Sequence, residues 1–229
     1  MRKMKFEQFK KALFESFSRN DYYEFTGETK EHDGRILHQI RATKNFICMG
    51  EMINVGQIGG WIESKENLSS RSWANETGMV YDDARVYDQT LIGHNAKVYG
   101  NAEVFDHSIV KSCEIHDNAQ VSDFSKVFSG FVYGNAKVYD HVQIGNNARI
   151  YDNAKVHDYA HVVGNAEVYG DAEVYGQAFI KDDAKVFGNA KVHDGAWVID
   201  NTKVFGNADV YQTVINGSKE VDENIEYEH

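Results

Sequence analysis

Residues 165–182 read NAEVYGDAEVYGQAFIKD, three consecutive six-residue phrases. Each phrase sets a small residue two positions before a branched one: Ala166 before Val168, Ala172 before Val174, Ala178 before Ile180. In a strand those two positions point to the same side, so every phrase sends one small and one branched side chain into an interior. The Asx and Gly residues between them supply turns, because these residue types tolerate positive φ. The residue after the branched one is aromatic twice, Tyr169 and Tyr175, and then Lys181.

The same period runs outward from this stretch in both directions. Branched or small residues fall at Ile62, Leu68, Ala74, Val80, Val86, Ile92, Val98, Val104 and Val110, and after a one-residue slip at Ile115, Val121 and Val127. A second slip leads to Val132, from which the phrases continue at six to Val210. A fixed short period over this much of a chain predicts a solenoid. If three phrases make one coil, every third phrase shares a face. The position after the branched residue then reads Tyr81, Tyr99, His116, Tyr133, Tyr151, Tyr169, Phe187, Phe205 on one side. On the second side it reads Tyr87, Phe105, Ser122, Tyr139, His157, Tyr175, His193, Tyr211, and on the third it is nearly free of aromatics. Two sides therefore carry aromatic ladders, stacked at the ~4.8 Å strand separation.

These phrases resemble the hexapeptide-repeat family over roughly residues 58–216. The resemblance implies a mainly β chain coiled as a left-handed parallel β-helix with three strands and 18 residues per coil. On that count the chain makes about eight and a half coils. The segment GQIGGWIESKENLS, residues 56–69, resembles the start of repeat proteins encoded by phages and prophages.

The position before the branched residue distinguishes the third side again. On the first two sides it holds charged residues such as Lys97, Glu114, Lys155 and Glu173, as solvated faces do. On the third it holds Leu91, Ile109, Lys126, Gln143, His161, Phe179 and Trp197, joined across the strand by Val163 and Ile199. Leu91, Ile109, His161, Val163, Phe179, Trp197 and Ile199 are the candidate interface, since an outward apolar stretch marks a surface that something covers. A further column, Asp88, Asp106, Asp123, Asp140, Asp158 and Asp194, reads either as turn chemistry or as an acidic strip imitating a phosphate backbone.

The N-terminal residues 1–57 read as a cap. Phe6, Phe9, Leu13 and Phe17 lie on one helical face, and strands at 22–27 and 35–46 flank an Asp33-Gly34 pair suited to a hairpin turn. Residues 217–229 form an acidic tail. The formal charge of −11 argues against direct binding to nucleic acid or an anionic membrane. Cys48 and Cys113 have neither metal spacing nor a disulfide framework, and no apolar run of membrane-spanning length occurs, so a cytoplasmic setting is expected.

Three functions follow as alternatives. The first is a non-catalytic interaction or scaffold protein, with a protein partner or a second copy on the third side. The resemblance also implies a second, an acyltransferase using acetyl-CoA with a His as general base, for which His94, His107, His141, His157 and His161 are candidates. The phrases leave no room for the protruding loop such enzymes carry. The third is an acidic inhibitor of a nucleic-acid-binding protein. The family's zinc enzymes use three histidines. Here His157 and His193 are two coils apart, too far to share one ion, so no metal site and no cofactor is expected.

Overall fold

In the computed structural model, which describes residues 21–69 and 71–224, the chain is a parallel β-solenoid of about nine turns. Its strands stack into three parallel sheets, one per side of a triangular prism. The first side has ten coil strands extended by an N-terminal hairpin, the second eight and the third nine. Most strands are two or three residues long, and the register repeats as the phrases require: Ile150 lies against Val168, Val156 against Val174 and Val162 against Ile180. Ladder bonds such as Tyr151 N–H to Val168 C=O (3.0 Å) tie each coil to the next.

The interior is the stack of small and branched pairs. Ala148 with Ile150, Ala154 with Val156 and Ala160 with Val162 are buried, like their equivalents along the prism. Full burial of one such branched side chain contributes about 1.5–3 kcal/mol, so the axis is one continuous core. Corners are turned in the left-handed region: φ is 59° at Asp123, 63° at Asp140 and 58° at Asp158. The two slips fall at the corners leaving the third side, where Ser112 and Ser129 have φ of 52° and 62°. There each coil is one residue shorter than three full phrases, which sets Val98 opposite Ile115. A third shortened corner occurs at Gln212, φ 48°, bringing Ile215 opposite Val198.

Two hairpins modify the N-terminal end. Strands β1 (Tyr23–His32) and β2 (Arg35–Ala42) are antiparallel, joined by Asp33 and Gly34 with φ of 51° and 75°, as a type I′ turn requires. β2 pairs antiparallel with β5 (Ile58–Ile62), which opens the parallel first side against Met79–Val80. The backbone edge of that side is thereby paired rather than open. β3 (Phe46–Cys48) and β4 (Glu51–Ile53) form a second hairpin that folds onto the third side. Gly60 is required where β5 enters the prism, because a Cβ there would sit 2.3 Å from the Gly78 carbonyl oxygen.

Among the described residues there is no helix, and none is long and apolar enough to cross a membrane. The helix expected at 1–20 lies outside them. At the other end Glu220–Val221 still pairs with Lys203–Val204, and the Asn224 side chain accepts the Asp209 N–H at 3.1 Å.

Candidate interaction surface

The third side falls into three zones along the prism. At its N-terminal end the β3–β4 hairpin covers it. Cys48 Sγ lies 3.4 Å from the Thr90 carbonyl, the Phe46 ring meets Trp73 edge-on at 5.9 Å, and Lys111 Nζ reaches Glu51 at 3.2 Å. The Lys111 chain crosses where Gly93 has no side chain, and a Cβ there would stand 2.4 Å from it. Leu91 is buried under this cover and Ile109 half-buried. For these two residues the covering element belongs to the chain itself.

The middle zone is a groove of about 510 Å³ that starts at Met49, on the hairpin turn, and passes Ile109, Lys126 and His161. Its side wall is a column of Phe124, His141 and Tyr159. These rings stack at 5.1 and 4.9 Å, with His107 continuing the stack below Phe124 at 5.0 Å. This third ring column stands three residues after the second-side core position. It occupies only four coils, between Gln89 and Gln177 in the same column, and the column count used for the ladders finds it only when carried three residues past the core position, into the turns.

The last zone is open. Phe179 lies 5.8 Å from the His161 ring and 5.1 Å from Trp197, the two pairs tilted by 39° and 36° instead of stacked flat. Trp197 is 48% exposed, Val163 and Ile199 are half-buried, and Val214, the next rung of the same column, is 57% exposed. The third-side strands from Gln143 to Ile215 carry no outward carboxylate. The structure thus brings His161, Val163, Phe179, Trp197 and Ile199 onto one flat strip. Val214 escaped the sequence reading because the shortened corner at Gln212 displaces it from the six-residue count.

The first expected ladder is a continuous stack, and the second is broken at Ser122 and continuous from Tyr139 onward. On the first side Tyr133, Tyr151, Tyr169, Phe187 and Phe205 follow one another at 4.9–5.2 Å, with interplanar angles of 8° or less. On the second, Tyr139, His157, Tyr175, His193 and Tyr211 stack at 4.6–5.3 Å. Ring faces inside a ladder are already occupied by the neighbouring coils, so a base or sugar ring has only edges to meet. Burial pushes the Tyr133, Tyr139, Tyr169 and Tyr175 hydroxyls above their ordinary range. Tyr99, half-buried and hydrogen-bonded to the Glu114 carboxylate at 3.2 Å, is pushed up to about 12.

The acidic column is engaged internally. Asp123 accepts the Asp140 N–H, Asp140 the Asp158 N–H and Asp158 the Gly176 N–H at 3.0–3.2 Å, each carboxylate bracing the next corner. Asp88, Asp106 and Asp194 share the left-handed backbone of that column. Burial and the nearby Asp106 charge raise the Asp88 carboxyl, a sign that the charges oppose one another. A second bracing ladder runs along the corner leaving the first side, where the amides of Asn101, Asn118, Asn135 and Asn153 link at 3.0–3.1 Å and end on Asp171.

The candidate bases are spread over four columns. His107 and His141 belong to the ring column beside the groove, His157 to the second ladder, His161 to the third-side strand, and His94 to an exposed corner. Among the described residues one group, Asp140, His157 and Asp158, places three potential metal-ligand atoms within 4.8 Å of one another. Neither a protein-family model nor a curated protein matches the chain.

Proposed function

We propose that the protein is a non-catalytic interaction or scaffold protein of the hexapeptide-repeat type, which uses the C-terminal part of its third side to hold a protein partner or a second copy of itself. One observation carries this reading: Phe179 and Trp197 project from adjacent rungs of a flat sheet, flanked by Val163, Ile199 and Val214, with no outward carboxylate among them. Exposed apolar strips of this kind mark interaction sites, and buried aromatics dominate the energetics of such contacts. Among the described residues no coil after Ile62 is longer than three phrases by strand register. That supports a surface role over an acyl-CoA enzyme whose active site needs a protruding loop.

The test compares the full chain with the double variant Phe179→Ser, Trp197→Ser. Light scattering measures self-association, and affinity capture against the native proteome measures foreign partners. A complex formed by the parent and lost in the variant, with thermal unfolding unchanged, is the expected result. A complex that forms equally with both proteins removes the third side from the reading. Stabilisation by acetyl-CoA in a thermal-shift assay would replace it with the enzymatic alternative.

A further inference from the structure

Along the second ladder, two histidines sit in equivalent positions but in different surroundings. His193 has carboxylates close on both ring nitrogens, Asp194 at 2.9 Å from Nδ1 and Asp209 at 2.8 Å from Nε2. His157 is held more loosely, with Asp158 at 3.5 Å from Nδ1 and Glu173 at 3.4 Å from Nε2. The preceding coil differs too: it supplies Gly176 beside the Asp194 corner and Asp140 beside the Asp158 corner. His157 is therefore grouped with two aspartates, Asp140 and Asp158, where the Gly176 corner leaves His193 with Asp194 alone on that side.

The ring of His157 cannot turn freely, because Tyr139 and Tyr175 sandwich it at 4.8 and 5.1 Å. With Nε2–H donating to Glu173, the Nδ1 lone pair points at the Asp158 carboxylate. Two acceptors then oppose each other across 3.5 Å, with the Asp140 carboxylate beside them. That arrangement is resolved by a cation between them, either a proton on Nδ1 or a metal ion. An imidazole that ligates through one nitrogen while the other donates to a carboxylate is the arrangement that orients and strengthens a metal ligand.

We propose that Asp140, His157 and Asp158 form a binding site for a first-row divalent transition ion such as Zn²⁺, with Glu173 as the outer carboxylate that orients the imidazole. One nitrogen and two carboxylate oxygens are a donor set suited to borderline metals, where an all-oxygen set would select Ca²⁺ or Mg²⁺. The three ligand atoms already lie within 4.8 Å, and bonds of about 2.0–2.2 Å draw them to roughly 3.3–4.4 Å of one another. The carboxylates supply that movement, since the Asp158 side chain is 44% exposed. A net charge of −11 favours cation capture. The ion would staple the coil of Asp140 to the coil of Asp158, and solvent would complete its coordination. This site is independent of the third side.

The test is calorimetric titration of Zn²⁺ into the untagged full chain after chelator treatment, with Co²⁺ absorption reporting the ligand field. One equivalent of saturable binding is expected. Asp140→Asn keeps a residue that tolerates positive φ and an oxygen that accepts the Asp158 N–H, and His157→Phe keeps the ring stack, so both variants preserve the corner while removing a ligand. Each is expected to weaken binding by more than the about 10–100-fold that loss of an outer partner costs, whereas Glu173→Gln falls within that range. His193→Phe is expected to leave affinity unchanged. Absence of saturable binding, or parental affinity in either Asp140→Asn or His157→Phe, overturns the assignment.

Discussion

At the residue scale the ladders act mainly as internal scaffolding. Tyr151 stacks on Tyr133 at 5.0 Å and Tyr169 at 4.9 Å, and donates its hydroxyl to Glu167 at 3.0 Å. Each ring pair is worth about 0.5–1.5 kcal/mol beyond burial, so the two lost stacks alone should cost Tyr151→Ala roughly 1–3 kcal/mol in urea unfolding. The lost ring burial and hydrogen bond add to that and make it costlier than Tyr151→Phe. Tyr151→Phe, which loses only a charge-assisted hydrogen bond, should cost roughly 1.5–3 kcal/mol if that bond is fully shielded and less at this half-exposed site. The stacked hydroxyls also set an alkaline limit. An unfolded tyrosine ionises near 10.0, whereas Tyr99 is held up to about 12 by burial and the Glu114 charge. The unfolded chain thus loses that proton first. The stability due to a neutral Tyr99 is full below pH about 10 and is lost as pH rises through about 12. Melting temperatures measured across that window by circular dichroism should fall, and should fall less steeply in Tyr99→Phe.

At the element scale the β3–β4 hairpin decides how much of the third side is available. Its inner residues Phe46, Cys48 and Ile53 are buried, while Ile47, Met52 and Val55 face outward. Replacing Ile53 by Asp buries an uncompensated carboxylate and should detach the hairpin. Hydrogen exchange is then expected to rise at residues 46–53 and over the Trp73 and Leu91 strands, and to stay unchanged from Tyr133 onward; uniform acceleration would mean that the hairpin does not act as a local cover. The sequence announced the first hairpin through Asp33-Gly34 but hid the second. Its turn, Met49-Gly50, adopts φ of 47° and 80° with a methionine where Asn or Asp is usual, and Met49 packs against the core at the head of the groove. The coils were legible because each side chain repeats its own environment at every third phrase, so register, core and ladders could be counted from Val and Ala positions. The Asp140–His157–Asp158 group was not, since its members come from two coils and a search by histidine spacing passes over the carboxylates. Likewise the groove wall needs Phe124, His141 and Tyr159 to be recognised as equivalent positions.

At the scale of the whole molecule, stability should be nearly additive along the prism, because each coil touches only its neighbours and contributes its own core pair and ladder contacts. The two ends are not equivalent. β2 pairs with β5 to close the N-terminal edge of the first side, while Val210, Ile215 and Val221 end the core at the other. Ending the chain after Asn189 removes Trp197, Ile199 and Val214 but leaves Asp140, His157 and Asp158 flanked by coils on both sides. Such a protein should remain a folded solenoid with lower resistance to urea, should lose whatever complex the third side forms, and should keep Zn²⁺ binding at the parental affinity. Deleting residues up to Thr43 instead removes β1 and β2, exposes Met79 and Tyr81, and leaves the β5 edge unpaired; that protein should aggregate, as uncovered strand edges do. Light scattering and zinc titration on the two truncations measure these outcomes together. If removing the C-terminal coils abolished zinc uptake, distant coils would be coupled, and the nearest-neighbour description of the prism would have to be abandoned.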